Sequence, residues 1–156
     1  MTTYYDRVAA LAADGSPTFS TNDDRLREAH VIVRLESAWE CTIHPYPQLH
    51  QVDWYAERHD RLTAHLELKS RHHDLGTYPS VWLNMRKYVN LLTLWIATGV
   101  PSLFVVQWAD DEVRWIDVAH IDATAVERRG TTHRVKSSSD QEPVIHVPID
   151  QMRGLR

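Results

Sequence analysis

From residue 62 to residue 71 the chain alternates strictly between apolar and polar side chains. Side chains on a β-strand point alternately to opposite faces, so this pattern predicts a half-buried strand. Its apolar face would carry Leu62, Ala64, Leu66 and Leu68, and its polar face Thr63, His65, Glu67, Lys69 and Arg71. The polar face sets an acid, Glu67, one strand repeat from a base, Lys69. A strand that only faces solvent does not need this arrangement, whereas a strand that holds a metal ion and an attacking water does.

A second alternating segment, from Gln51 to Arg58, predicts a neighbouring strand whose polar face carries Asp53. Paired residues on antiparallel strands share a face. The apolar faces of the two strands therefore match only if Asp53 pairs with an odd-numbered residue, which requires a connecting loop of odd length or a β-bulge. A three-residue loop at 59–61 would place Asp53 directly opposite Glu67. The two carboxylates are expected on the same side of the sheet.

The cluster at residues 21–24, Thr-Asn-Asp-Asp, is typical of a helix N-terminus, and the pattern after it predicts a helix to about Trp39. Glu28 falls in the middle of the apolar arc of this helix. An acid on a buried face is costly unless it has a partner. Glu28 is therefore expected either to form a salt bridge with an arginine at the edge of the core or to point into a site.

A longer helix is predicted from about Ser80 to Thr98, ending at Gly99, with Asn84 and Lys87 in a polar stripe along it. Further strands are predicted at about 39–44, 100–108 and 112–118, a short helix at 3–14, and a last hairpin that pairs 131–135 with 144–149. This order predicts an α/β fold, with a mixed central β-sheet flanked by helices. We expect a single domain over residues 1–156, with a core at about 24–118 and a C-terminal hairpin extension at about 119–156.

Composition limits the classes of protein that fit. The 156 residues, 43% of them hydrophobic, suffice for one packed domain. The net charge of -4 shows no overall basic excess, although a local basic groove would suffice for nucleic acid. Cys41 is the only cysteine, which excludes a disulfide framework and favours a reducing compartment such as the cytoplasm. No signal peptide and no membrane span are expected, because the longest apolar helix is interrupted by polar residues.

With Glu28 on a helix, Asp53 on a strand, Glu67-Leu68-Lys69 on the next strand and a following helix, the chain resembles the PD-(D/E)xK nuclease superfamily. The resemblance covers about residues 24–118 and is closest to small phage or mobile-element nucleases and to Holliday-junction-resolvase-like members. Val52 departs from the pattern, since the superfamily often has a proline before the aspartate. The resemblance implies a restriction-endonuclease-like fold and a Mg²⁺- or Mn²⁺-dependent DNA endonuclease that leaves a 5′-phosphate and a 3′-hydroxyl. It also implies a preference for branched DNA or Holliday junctions and a homodimer, because a junction has two scissile strands.

The residue types fit that chemistry. Phosphodiester hydrolysis needs a hydroxide nucleophile and a stabilised leaving group, and a hard divalent cation bound by oxygen atoms supplies both. Asp53 and Glu67 are expected to share an ion, with the Leu68 carbonyl and Glu28 as further ligands. Lys69 would orient the attacking water or take its proton. The residues expected to contact substrate are His65, Arg71, Ser80, Asn84 and Lys87.

Other classes of function fit less well. The spacing of the histidines matches no zinc pattern, and no Gly-x-Ser-x-Gly nucleophile elbow is present. Nothing in the sequence indicates an organic cofactor. The serious alternative is a nuclease fold used only to bind DNA or protein. Such proteins usually lose an acid or the lysine, and this chain keeps them all.

Overall fold

The computed structural model describes residues 22–47, 50–123, 126–130 and 141–156. The helix expected at 3–14 and the strand expected at 131–135 lie outside this part of the chain. In chain order the elements are α1 (Asn22–Trp39), β1 (Thr42–Pro45), β2 (Trp54–Arg58), β3 (Arg61–Ser70), β4 (Ser80–Asn84), α2 (Met85–Thr98), β5 (Ser102–Gln107), β6 (Val113–Asp117), β7 (Val126–Gly130), β8 (Gln141–Pro148) and β9 (Arg153–Gly154).

A mixed six-stranded sheet forms the centre of the molecule, in the order β1-β2-β3-β5-β6-β9. Strands β3 and β5 are parallel, with Leu66 beside Leu103, and the other neighbours are antiparallel. Strand β5 is buried along its whole length, as its unbroken apolar sequence predicts. The α/β fold with a mixed sheet and flanking helices is confirmed.

The hairpin between β2 and β3 has a tighter turn than predicted. Arg58 pairs with Arg61, so the turn has only two residues, His59 and Asp60, with φ of 51° and 57°. Positive φ at both central residues is what a type I′ turn requires. A β-bulge at Thr63, whose hydroxyl donates to the Ala56 carbonyl, supplies the extra residue. The three-residue loop is therefore wrong, but the bulge leads to the same pairing.

Both faces of the central sheet are covered. Helix α1 packs on one face, where Val31, Ile32 and Leu35 meet Trp54 and Leu66. Helix α2 and the strands β4 and β8 cover the other face, which bears Phe104 and Val106. The polar row of β3 lies on this second face, so His65 is 1% exposed and Glu67 is 7% exposed. The second layer thus buries the middle of the polar row, whereas Thr63 and Lys69 remain exposed, so the prediction of a half-buried strand is wrong only at His65 and Glu67.

A three-stranded antiparallel sheet, in the order β4-β8-β7, accounts for that second layer. Strand β4 occupies residues 80–84, which the sequence pattern assigned to the start of a helix. Val81 and Leu83 point into the core, and Trp82 points outward. Helix α2 begins only at Met85 and ends, as predicted, at Gly99, which has a φ of 68°.

The C-terminal hairpin exists, but its first strand lies earlier than predicted. Strand β7 pairs with β8 from Gly130 opposite Gln141 to Val126 opposite Ile145. Within the described residues no helix is long and apolar enough to cross a membrane.

Candidate active site

Two carboxylates and two lysines meet at the edge of the central sheet. Asp53 directly precedes β2, and the register that pairs Trp54 with Leu66 continues to place Asp53 opposite Glu67. The Lys87 ammonium, from the first turn of α2, lies 2.9 Å from Oδ1 of Asp53 and 3.1 Å from Oε2 of Glu67. Lys69 lies two residues along β3 from Glu67, where the charges of both carboxylates act on its pKa. Four groups from three elements therefore form one cluster.

The Glu67 carboxyl has an unusually high pKa. Burial, and then the charge of Asp53, raise its pKa to about 8, although the Lys87 ammonium acts in the opposite direction. Hydrogen bonding to the nearby Asp53 carboxylate further favours the protonated form of Glu67 and so raises the pKa. Below about pH 8 and without a metal ion, the pair therefore carries one proton between two carboxyl groups.

This raised pKa predicts a pH-dependent stability. An acid whose pKa rises on folding from 4.5 to about 8 favours the fold while protonated, and that contribution is lost as the pH rises between these values. We expect Glu67→Gln, which mimics the protonated acid, to melt several °C above wild type at pH 9 but close to wild type at pH 5. Thermal unfolding by circular dichroism measures this difference. Glu57→Gln, on β2 outside the cluster, is the control, and an equal shift at both pH values would contradict the assignment.

The two lysines differ in their protonation. Burial alone would lower the pKa of Lys87, but the Glu67 and Asp53 carboxylates together outweigh it and raise the pKa. Burial, and then the nearby Arg71 guanidinium, lower the pKa of Lys69 more than the two acids raise it. Lys87 is therefore held as a cation more firmly than an ordinary lysine, and Lys69 releases its proton more easily than an ordinary lysine.

The donor set fits a hard divalent cation. Mg²⁺ keeps several waters and is commonly held by only one or two carboxylates, so the Asp53 and Glu67 pair is sufficient. The described part of the chain contains no group of three or more histidines, cysteines or acids arranged for a metal. Oε2 of Glu67 is buried and has no hydrogen-bond partner among the described residues, and its contact with Lys87 is an ion pair only. Because Oε2 of Glu67 already faces the positively charged ammonium of Lys87, it is suited to bind a metal ion in place of that ammonium.

Glu28 contacts the central sheet through a tryptophan of β2. Its Oε1 accepts a hydrogen bond of 3.0 Å from Nε1 of Trp54. Trp54 packs on the α1 face of the sheet, opposite to the face that carries Glu67. The contact links α1 to the residue that follows Asp53. The metal-binding role of Glu28 stays a prediction, and the geometry supports a positioning role.

The residues expected to bind substrate are placed differently from one another. His65 is inside the protein, with Nδ1 2.8 Å from the Tyr46 hydroxyl and Nε2 3.1 Å from that of Thr98. Because both ring nitrogens have partners and the ring is buried, a substrate contact by His65 is not supported. Ser80 bonds to Nδ1 of His146 at 3.0 Å.

Three of the remaining predicted residues lie close to the cluster. Arg71 donates from Nη2 to the Trp82 carbonyl at 3.0 Å. Asn84 is not part of a helical stripe but caps α2, because its side chain accepts from the Arg86 amide at 2.8 Å. Lys87 lies in the cluster itself. The bridge that Lys87 makes was missed, since it depends on where α2 begins.

A comparison with protein families places this chain among nucleases. The family model described as "Phage putative PDDEXK endonuclease" matches residues 15–155. Among solved structures, Hjc from Archaeoglobus fulgidus, a Holliday junction resolvase, is similar with a TM-score of 0.49 and 15% identity, over 78% of this chain and 88% of that chain. No curated protein matches the chain. The family match spans every element that carries the cluster, which confirms the superfamily and the restriction-endonuclease-like fold.

Proposed function

The chain belongs to a family of phage PDDEXK endonucleases, and from this premise we propose that it is a DNA endonuclease that depends on Mg²⁺ or Mn²⁺. The observation that carries the proposal is the Asp53 and Glu67 pair, facing each other across β2 and β3 with Lys69 beside them. Glu67 is buried whereas Asp53 is partly exposed, and a buried acid is costly for a fold. Two carboxylates in this arrangement are suited to holding a divalent cation. The site would act on DNA in the cytoplasm of a phage-infected cell.

The residues of the cluster have different proposed roles in the reaction. Asp53 and Glu67 would hold the ion, with the Leu68 carbonyl adjacent, and the ion when bound supplies charge stabilisation for the scissile phosphate and a stronger nucleophile. Lys69, with its lowered pKa, would accept a proton from the attacking water. Arg71 and Lys87 would contact phosphate oxygens as cations.

Metal binding and Lys87 should compete for the same carboxylates. Because the pKa of Glu67 is about 8, each Mn²⁺ bound at pH 7 should release about one proton. Lys87→Met should tighten Mn²⁺ binding on the order of ten-fold, since an ammonium repels a divalent ion twice as strongly as it repels a proton. Titration calorimetry in two buffers of different ionisation enthalpy measures both quantities. Arg86→Met, one residue away and exposed, is the control, and weaker binding by Lys87→Met would refute the competition.

A branched substrate would suit two active sites acting together. We propose a homodimer for this reason, and α2 offers a surface for a second copy. Val89 and Ile96, two turns apart on one face of α2, are both exposed. Analytical ultracentrifugation measures the oligomeric state of the protein alone and of the protein bound to a junction. A monomer in both cases would refute this part of the proposal.

The proposed function is tested by cleavage. Purified protein is incubated with linear duplex, single-stranded and four-way-junction DNA in Mg²⁺, Mn²⁺ or EDTA. We expect cleavage that requires the metal and leaves ligatable 5′-phosphate ends. Metal-independent DNA binding without cleavage of any substrate would reject the enzyme and favour a binding module.

A further inference from the structure

Trp82 presents its indole on the outer face of β4. Val81 and Leu83 on either side of it are buried in the core, whereas Trp82 remains 39% exposed. His146 lies opposite it on β8, with the ring centroids 6.1 Å apart and the planes at 73°. This edge-on contact fixes the orientation of a large aromatic surface that solvent can reach.

Arg71 links the backbone of Trp82 to the active site. The guanidinium of Arg71 donates to the carbonyl of Trp82 at 3.0 Å. Burial, and then this same guanidinium, lower the pKa of Lys69, so Arg71 lies close to the catalytic lysine. Arg71 therefore stands between Lys69 and the strand that carries Trp82.

The other link runs along β4 itself. Asn84 is on the same face as Trp82, about 7 Å further along the strand. Its side chain caps α2, and the third residue after it, Lys87, bridges Asp53 and Glu67. The backbone of Trp82 is therefore linked to the cluster in two ways, through Arg71 and through the Asn84 cap of α2.

We propose that Trp82 is a stacking platform for an unpaired nucleobase next to the scissile phosphate. This inference rests on the proposed nuclease function and narrows its substrate class. In duplex DNA each base is already stacked between neighbours, so a surface indole cannot reach its face without breaking that stack. Single-stranded or branched DNA offers such faces, and aromatic stacking beside phosphate-binding cations is the usual way to hold them.

The test measures binding in EDTA, where no metal-dependent cleavage occurs. Fluorescence anisotropy gives the Kd of a labelled single-stranded oligonucleotide and of a blunt duplex for wild type, Trp82→Ala, Trp82→Phe and Trp95→Ala. Trp95, which is 37% exposed on α2, is the matched control. We expect Trp82→Ala to weaken single-strand binding about ten-fold and duplex binding less than about two-fold. Trp82→Phe should restore most of the single-strand affinity, and tryptophan quenching by the oligonucleotide should persist in Trp95→Ala but fall in Trp82→Ala.

The outcomes separate this inference from the proposed function. Equal single-strand affinity in Trp82→Ala and wild type would overturn the platform, as would an equal loss for single strand and duplex. The absence of single-strand binding by wild type would also overturn it. A protein that shows the Trp82 dependence but never cleaves DNA would keep the platform and lose the nuclease.

Discussion

Glu67→Gln is expected to lower the rate of DNA cleavage by at least about a thousand-fold. The substitution keeps the size and hydrogen-bonding shape of the side chain but removes the negative charge that the metal ion requires. The remaining carboxylate, Asp53, would stay paired with the Lys87 ammonium, 2.9 Å away, and would not hold the ion alone. Single-turnover cleavage of a junction and of duplex DNA in Mg²⁺ measures the effect.

The same substitution has a built-in control for folding. Glu67→Gln removes a carboxyl whose ionisation is opposed by burial, so the variant should be at least as stable as wild type at neutral pH. Its DNA binding in EDTA should also be unchanged. Glu57→Gln should cleave at the wild-type rate. Cleavage by Glu67→Gln within about ten-fold of wild type would remove Glu67 from the metal site.

Lys69→Met is expected to slow cleavage on the order of a hundred-fold to ten-thousand-fold while leaving metal binding intact. Because burial and Arg71 lower the pKa of Lys69, its neutral amine forms more readily than that of an ordinary lysine and can take a proton. The rate of wild type should therefore rise with pH until Lys69 has lost its proton, and this limb of the profile should vanish in the variant. Single-turnover rates across the pH range, with calorimetry for Mn²⁺, separate the two effects.

Lys69→Arg distinguishes the two roles that a lysine can have here. A guanidinium can orient a water molecule but does not deprotonate, so it cannot act as a base. If Lys69 accepts the proton, Lys69→Arg should be as slow as Lys69→Met. A Lys69→Met variant that cleaves at the wild-type rate would exclude Lys69 from the reaction.

The arrangement of the acid pair was predictable from the sequence because alternation is a local property. The apolar faces at 54–58 and 61–70 have to match, which leaves Asp53 and Glu67 on one side whatever connects the strands. The connection itself was not predictable, since a two-residue turn of His59 and Asp60 lacks the glycine that normally marks it. The bulge at Thr63 has no sequence marker.

The three-stranded sheet was not predictable from the sequence, because it forms by pairing between strands that are far apart along the chain. Residues 80–84 show no alternation of polarity, since Val81, Trp82 and Leu83 are all apolar, and they lead into a helix. The helical pattern could therefore be extended back over them. Their partner strand, β8, lies some sixty residues later, with Val81 opposite Val147. Once that sheet is in place, His65 becomes an internal residue, and Trp82 lies on the outer face of β4.

The bridge that Lys87 makes between Asp53 and Glu67 separates folding from metal loading. Two acids that relied on an ion for charge balance would make the chain fold poorly whenever the ion was scarce. Here a counter-charge is supplied by the chain itself, 2.9 and 3.1 Å from the two carboxylates. We therefore expect newly made protein to fold without the metal ion, and the proposed nuclease to remain folded when a chelator removes the ion.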